Sequence, residues 1–195
     1  MKTRVKQMLQ QNSMFSDTRE RLSTASLGLH WIIAIGMIAL IAFGIYIEDL
    51  PRGPEKFELI GLHKSLGITL FAFALIRLFW RTNRGFPIPL STQPKWQESI
   101  AHMVHWVLLL GSLLLPLSGF MMSIGGGHPV GVFGFEIIAR SEDKIEILSK
   151  IGHVIHGLGG KLLIALILLH IVGAIKHERI DKDGTLSRML GRSLS

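Results

Sequence analysis

Long apolar runs separated by short polar segments dominate this chain of 195 residues. The runs lie at about 27–47, 60–80, 100–124 and 152–175. At about 1.5 Å of rise per residue, a helix of each length crosses a hydrocarbon core of about 30 Å. None of the runs has the polar face that a surface helix of a soluble protein carries. The pattern predicts an all-α integral membrane protein, a four-helix bundle that leaves no room for a separate soluble domain.

The polar ends of the chain and its composition narrow the classes of protein further. Residues 1–22 are polar and mixed in charge, and we expect a cytoplasmic N-terminal extension there. They lack the apolar core of a secretory signal, so we expect the first helix to insert uncleaved. The chain has no cysteine, which excludes disulfides, thiolate metal ligands and iron–sulfur clusters.

Basic residues predict how the helices are oriented in the membrane. They are concentrated before the first helix, between the second and third helices, and after the fourth. Since basic residues accumulate on the cytoplasmic side, we expect both termini in the cytoplasm. Basic residues in these places contact anionic lipid, so the positive net charge predicts no nucleic-acid partner. The residues are Lys2, Arg4, Lys6, Arg19, Arg21, Arg81, Arg84, Lys95, Lys176, Arg179, Lys182, Arg188 and Arg192.

Four histidines lie at matching depths inside the apolar runs, where an ionisable side chain is costly and marks a candidate site. His30 opens the first run and His63 the second, whereas His156 and His170 lie near the two ends of the last. With the predicted orientation, His63 and His156 form an outer pair, and His30 and His170 form an inner pair. The 14-residue spacing within the last helix gives about 21 Å of rise and an angular offset of about 40°. Because neutral imidazole is a common metal ligand, the pattern predicts two metal centres stacked across the membrane.

Other histidines compete for these positions. His153 lies one turn from His156, but its spacing to His170 rotates it by about 100°, which favours His156 as the ligand. His102 and His105 lie at the inner end of the third helix. Their depth is close to that of the inner pair, so spacing alone leaves either of them as an alternative to His30.

Several short segments, taken in order, resemble the bacterial cytochrome b561 proteins, which are four-helix membrane cytochromes. The resemblance covers residues 23–190 and predicts one transmembrane domain there. One departure is Gly157, which follows His156 where the family usually has an acidic residue. The segments are Leu29-His30-Trp31, His63-Lys64-Ser65-Leu66-Gly67, Arg77, Leu115-Pro116-Leu117-Ser118-Gly119, Gly127-His128-Pro129-Val130, His156 with His170, Lys182-Asp183-Gly184-Thr185-Leu186 and Arg188-Met189-Leu190.

The resemblance implies a cofactor, its ligands and an activity. Members of the family bind two b-type haems through four histidines, which map to His30, His63, His156 and His170. The implied function is electron transfer between an external one-electron donor, superoxide among the options, and the membrane quinone pool. One alternative is a haem-binding membrane-anchor subunit of a partner dehydrogenase or hydrogenase. A second alternative is a haem-free proton-coupled transporter, which the absence of inverted repeats disfavours.

Four further residues have candidate roles beside an ordinary interfacial one. Arg77 can pair with a propionate of the inner haem, or else anchor its helix at the membrane edge. Lys161 can pair with a haem propionate, or else snorkel outward. His177 is a candidate for a quinone site or a proton relay, and otherwise an interface histidine. Lys64 can attract an anion such as superoxide to the outer end, and otherwise caps its helix.

Overall fold

Four long helices make up most of the computed structural model, which describes residues 15–192. All four are long and apolar enough to cross a membrane, which confirms the predicted four-helix membrane protein. A π-helical turn at His177–Asp181 continues the fourth helix. The helices are α1 (Thr24–Asp49), α2 (Pro54–Arg84), α3 (Lys95–Gly125) and α4 (Glu146–Lys176).

Each helix extends beyond its apolar run, because only the part within lipid must be apolar. The largest difference is in α2, which begins at Pro54 rather than near residue 60. Proline suits a first helical position, where its missing N–H has no intrahelical partner to lose. Glu55 in the first turn and Arg81 and Arg84 in the last complement the helix dipole. The charged residues of these terminal turns lie outside the apolar run, so the predicted span was shorter than the helix.

The helices α3 and α4 have the most extensive contact in the bundle. Glycine makes this approach possible near the end of α3: a Cβ built on Gly152 would lie 2.6 Å from the Met122 nitrogen and 2.9 Å from the Ser118 oxygen. The apolar core lies deeper in the bundle, while many large side chains such as Phe79 stay exposed, as lipid-facing positions do. The buried core residues are Ile33, Met37, Leu70, Ala74, Leu113 and Leu163.

A short β-hairpin covers the end of the bundle near His63. Its strands β1 (Val130–Val132) and β2 (Phe135–Ile138) pair antiparallel and follow α3. The backbone N–H of Phe133 at the turn donates to Ser65 Oγ at 3.0 Å. Lys64 Nζ donates to the carbonyl of Pro129 at 3.1 Å. The hairpin is therefore bound to the two residues that follow His63 on α2.

Residues 15–22 of the predicted N-terminal extension pack against the opposite end of the bundle. Asp17 accepts hydrogen bonds from the Ser23 N–H at 2.8 Å and from Ser26 Oγ at 2.7 Å. Arg81 Nη1 lies 3.1 Å from the same carboxylate, and Arg81 is only 4% exposed. Residues 1–14 of the extension, with Lys2, Arg4 and Lys6, lie outside the described residues.

The C-terminal segment packs against the same end. Its short helix α5 (Thr185–Met189) is held by Trp31 Nε1, which donates to the Met189 carbonyl at 2.8 Å. Arg188 is buried and donates to the carbonyls of Arg19 at 2.9 Å and Ile88 at 3.0 Å. Both described chain ends therefore help to cover the bundle beside His30.

Candidate functional site

The four candidate histidines face each other in two pairs across helix interfaces. The ring centroids of His63 on α2 and His156 on α4 are 6.4 Å apart. Those of His30 on α1 and His170 on α4 are 6.2 Å apart. All four rings are partly buried. The pairs brought together are the ones that the helix directions and the spacing of α4 predicted.

Both separations suit one metal ion bound between two imidazoles. A metal–nitrogen bond is about 2 Å, and each ring nitrogen lies about 1 Å from its centroid, so the centroids of two opposed ligands are roughly 6 Å apart. The measured 6.4 Å and 6.2 Å agree with this value. In α-helices crossing a membrane, such bis-histidine sites are typical of b-type haem.

Glycines leave space beside both rings of the outer pair. A Cβ built on Gly44 of α1 would lie 3.2 Å from His63 Cε1. One built on Gly119 of α3 would lie 3.5 Å from His156 Cε1. A flat haem ring needs a helix surface free of side chains beside the histidines that hold it, so these two glycines suit haem.

The two outer rings differ in their hydrogen bonds. His156 Nδ1 lies 3.0 Å from the Leu115 carbonyl oxygen and 2.9 Å from Ser118 Oγ, both on α3. His63 Nδ1 is buried and has no partner within residues 15–192. The orientation of His156 is therefore determined by α3, whereas that of His63 depends on packing.

Arg77 is the charged neighbour of the inner pair. Its Nη2 lies 3.2 Å from His30 Nδ1, and its Nη1 is buried without a hydrogen-bond partner in the described chain. Because guanidinium has only donors, His30 Nδ1 accepts this bond. A buried guanidinium with an unused donor beside a candidate ligand suits a cofactor that carries a carboxylate.

A third histidine adjoins the inner pair. The ring centroid of His105 on α3 lies 5.3 Å from that of His170 and 5.7 Å from that of Phe86. His102 instead accepts a hydrogen bond from Trp106 Nε1 at 3.0 Å. Geometry thus leaves His105, rather than His102, as the alternative to His30.

His153 and Lys161 both point away from the pairs. His153 is exposed, and its Nδ1 bonds the Ser149 carbonyl of its own helix at 2.8 Å. Lys161 is exposed on α4 and forms no ion pair with any residue between 15 and 192. Both positions agree with interfacial roles, and for Lys161 this favours snorkelling over a buried contact.

His177 belongs to a polar cluster at the inner end that sequence analysis only partly identified. Its Nδ1 donates to Asp183 Oδ2 at 2.7 Å, and Ser91 Oγ donates to the same oxygen at 2.6 Å. Burial raises the pKa of Asp183, but hydrogen bonds from Ser91, Thr185 and His177 outweigh it and lower the pKa to about 2. Asp183 lies within a segment that carried the family resemblance, which was the available signal for it.

Positive charge surrounds His128 at the outer end. Burial lowers the pKa of His128, and so do the neighbouring charges of Lys64, Arg140, Lys144 and His153. Sequence analysis singled out Lys64 alone, because Arg140 and Lys144 are separated from it by most of α2 and all of α3. The fold thus brings three cationic side chains, Lys64, Arg140 and Lys144, close to His128.

Comparison with known proteins decides the family. A family model described as prokaryotic cytochrome b561 matches residues 21–192. The chain belongs to this family. It is 31% identical over 188 residues to cytochrome b561 homolog 2 of Escherichia coli (strain K12), covering 93% of this chain and 97% of the relative.

Two other relatives of this cytochrome b561 have more specific names. A probable superoxide oxidase CybB of Yersinia pestis is 26% identical over 174 residues, with 88% of this chain and 96% of the relative covered. A probable Ni/Fe-hydrogenase B-type cytochrome subunit of Cupriavidus necator is 22% identical over 206 residues, with 83% and 80% covered.

Family membership confirms the resemblance found in the sequence. The protein is a multi-pass cytochrome of the bacterial inner membrane that binds b-type haem and serves electron transport. The haem-free transporter alternative is not supported.

Proposed function

We propose that this cytochrome b561 binds two haem b groups and passes electrons across the membrane, from an external one-electron donor to the quinone pool. One haem lies between His63 and His156 and the other between His30 and His170, with both chain termini in the cytoplasm. The observation that carries the proposal is the presence of two facing histidine pairs on membrane-crossing helices. The ring centroids are 6.4 Å apart in one pair and 6.2 Å apart in the other.

The protein holds each cofactor with two neutral imidazoles and leaves no open coordination position. Bound haem supplies a one-electron carrier at each depth, and full coordination suits outer-sphere transfer rather than oxygen activation. Arg77, whose Nη2 lies 3.2 Å from His30 Nδ1, would pair with a propionate of the inner haem, and His30 Nδ1 would then be free to carry a proton. Lys161 would snorkel to the headgroup region, and it would contact a haem propionate only at that level.

At the inner end, we assign His177 as the proton relay to the quinone and Asp183 as the carboxylate that orients its ring. Reduction of a quinone to a quinol takes two electrons and two protons. His177 is partly exposed, and its 2.7 Å bond to Asp183 Oδ2 holds the ring at the inner end.

At the outer end, the charges support superoxide as one donor. Two superoxide anions would become two molecules of dioxygen, and their two electrons with two protons would convert one quinone to a quinol. Lys64, Arg140 and Lys144 near His128 offer such an anion a local positive region. The name of the Yersinia pestis relative agrees with this option.

The haem content of single alanine variants tests the ligand assignment. A pyridine haemochrome count should give two haems per wild-type chain and one in His63→Ala, His156→Ala, His30→Ala and His170→Ala. His153→Ala is the matched control, since this ring lies one turn from His156 but bonds its own helix. Two haems retained in any of the four variants would contradict the assignment.

His105→Ala distinguishes the alternative at the inner end. The 5.3 Å separation of the His105 and His170 centroids is shorter than two opposed ligands need, so this variant should retain two haems. If His105→Ala loses one haem and His30→Ala loses none, His105 is the inner ligand on α3.

A second function, as the membrane anchor of a redox enzyme, is favoured by the relatives named hydrogenase cytochrome subunits. The two functions give different results with the purified protein. Superoxide-dependent quinone reduction by the cytochrome alone supports the first. Its absence, together with a dehydrogenase or hydrogenase that co-purifies in stoichiometric amount, supports the second.

A further inference from the structure

The hydrogen bonds of His156 determine which of its ring nitrogens carries the proton. Nδ1 lies 3.0 Å from the Leu115 carbonyl oxygen. A carbonyl oxygen only accepts, so Nδ1 must be the donor. Nε2 then keeps its lone pair, which is the form of imidazole that binds a metal ion.

Ser118 is placed to accept the same proton. Its hydroxyl donates to the Leu115 carbonyl at 2.6 Å, so a lone pair on Oγ faces His156 Nδ1 at 2.9 Å. Ser118 is 1% exposed, which keeps water from replacing it. A hydroxyl that itself donates is a stronger acceptor, because such bonds polarise one another.

Close contact between the helices brings these groups together. Gly152 lies one turn before His156, and a Cβ there would lie 2.9 Å from the Ser118 carbonyl oxygen. Any larger side chain would separate α4 from α3 at the level of these bonds. The short distance from Ser118 to His156 is thus built into the helix packing.

The other candidate ligands lack this arrangement. His63 Nδ1 is buried without a partner, and His30 Nδ1 receives the Arg77 guanidinium. His170 makes ring contacts with His30 and His105, and no hydrogen bond to its ring is found among residues 15–192. Within the described chain, His156 alone of the four donates from Nδ1 to fixed acceptors.

We propose that Ser118 and the Leu115 carbonyl are positioning groups that lower the midpoint potential of the outer haem through His156. An imidazole whose Nδ1 proton is accepted becomes a more basic ligand, and a more basic ligand stabilises ferric over ferrous iron. A lower potential at the outer end favours electron flow toward the inner haem. The inference rests on the proposed haem between His63 and His156.

The test compares two serines of α3 that differ in their contact with histidine. Ser112 is also buried, at 3% exposed, and its hydroxyl also bonds a carbonyl three residues earlier, at 2.7 Å. We expect Ser118→Ala to raise the midpoint potential of one haem by up to about 59 mV, equivalent to a tenfold change in ferric-to-ferrous preference. The electron paramagnetic resonance g-values of the same ferric haem should change, while Ser112→Ala alters neither property.

Haem counts separate failure of this inference from failure of the proposed function. Two haems in Ser118→Ala with unchanged potentials and g-values would overturn the inference and leave the proposed function intact. Equal shifts in Ser112→Ala and Ser118→Ala would reveal a packing effect and also overturn it. A wild-type chain with fewer than two haems would instead overturn the proposed function.

A third variant covers the outcome in which Ser118→Ala loses the outer haem altogether. Ser118→Thr retains the hydroxyl and should restore haem binding and the wild-type potential. Failure of threonine to restore either property would assign the loss to packing and refute the positioning role.

Discussion

Replacing Gly152 with alanine should loosen the outer half of the α3–α4 interface. The added Cβ would lie 2.6 Å from the Met122 nitrogen, whereas ordinary contact begins at 3.4 Å. The shortfall of about 0.8 Å lies between two backbones, so no side chain can turn away to relieve it. Such overpacking costs about 1–3 kcal/mol. The same separation would lengthen the 3.0 Å bond from His156 to Leu115 to about 3.8 Å, beyond hydrogen-bonding distance.

Thermal unfolding in detergent micelles, followed by the loss of helical circular dichroism, measures the effect. At about 2–4 °C for each kcal/mol, Gly152→Ala should lower the unfolding midpoint by roughly 2–12 °C and weaken haem retention. Gly157→Ala is the matched control, because a Cβ there meets nothing within 4 Å and alanine is the better helix former. Wild-type midpoint and haem retention in Gly152→Ala would refute the reasoning.

Two further predictions concern the inner end. Arg81→Met should lower the free energy of unfolding by about 1–3 kcal/mol, because it leaves the carboxylate of Asp17, which is 19% exposed, without its cation. Faster proteolysis at residues 15–22 would show this effect, and unchanged proteolysis would contradict it. Asp183 has a pKa of about 2 in the folded chain against an ordinary 3.8, so its stabilising effect is complete above about pH 4 and is lost as the pH falls toward 2. Pepsin cleavage within 182–192, normalised at each pH to cleavage of a free peptide of the same sequence, should therefore increase over that range in wild type, whereas the normalised cleavage of Asp183→Asn should vary little with pH.

The helices and the depths of their histidines were predictable from the order of residues. A run long enough to cross the hydrocarbon core must be helical, because lipid offers no partner for backbone polar groups. Successive helices alternate in direction, so the position of His63 or His156 along its run determines its depth. For this reason the outer pair could be predicted without any knowledge of packing, whereas spacing alone left His102 and His105 as alternatives to His30 in the inner pair.

The lateral neighbours of each histidine were not predictable in this way. The ring of His105 lies closer to that of His170 than the ring of His30 does, and the sequence left its role open. The cluster of Asp183 and Ser91 joins residues 92 positions apart, and residues 15–22 are tied to α2 by Arg81. These contacts depend on which helices pack together and on their rotation about their own axes.

The sequence by itself determined the number of helices, the depth of each histidine and the family. Only the tertiary structure decided that Ser118 and the Leu115 carbonyl accept the proton of His156 and that Arg77 contacts His30. The physical reason is that depth follows from position along one helix, whereas a hydrogen bond between helices requires two backbones to approach closely. At the outer site that approach depends on the missing side chain of Gly152.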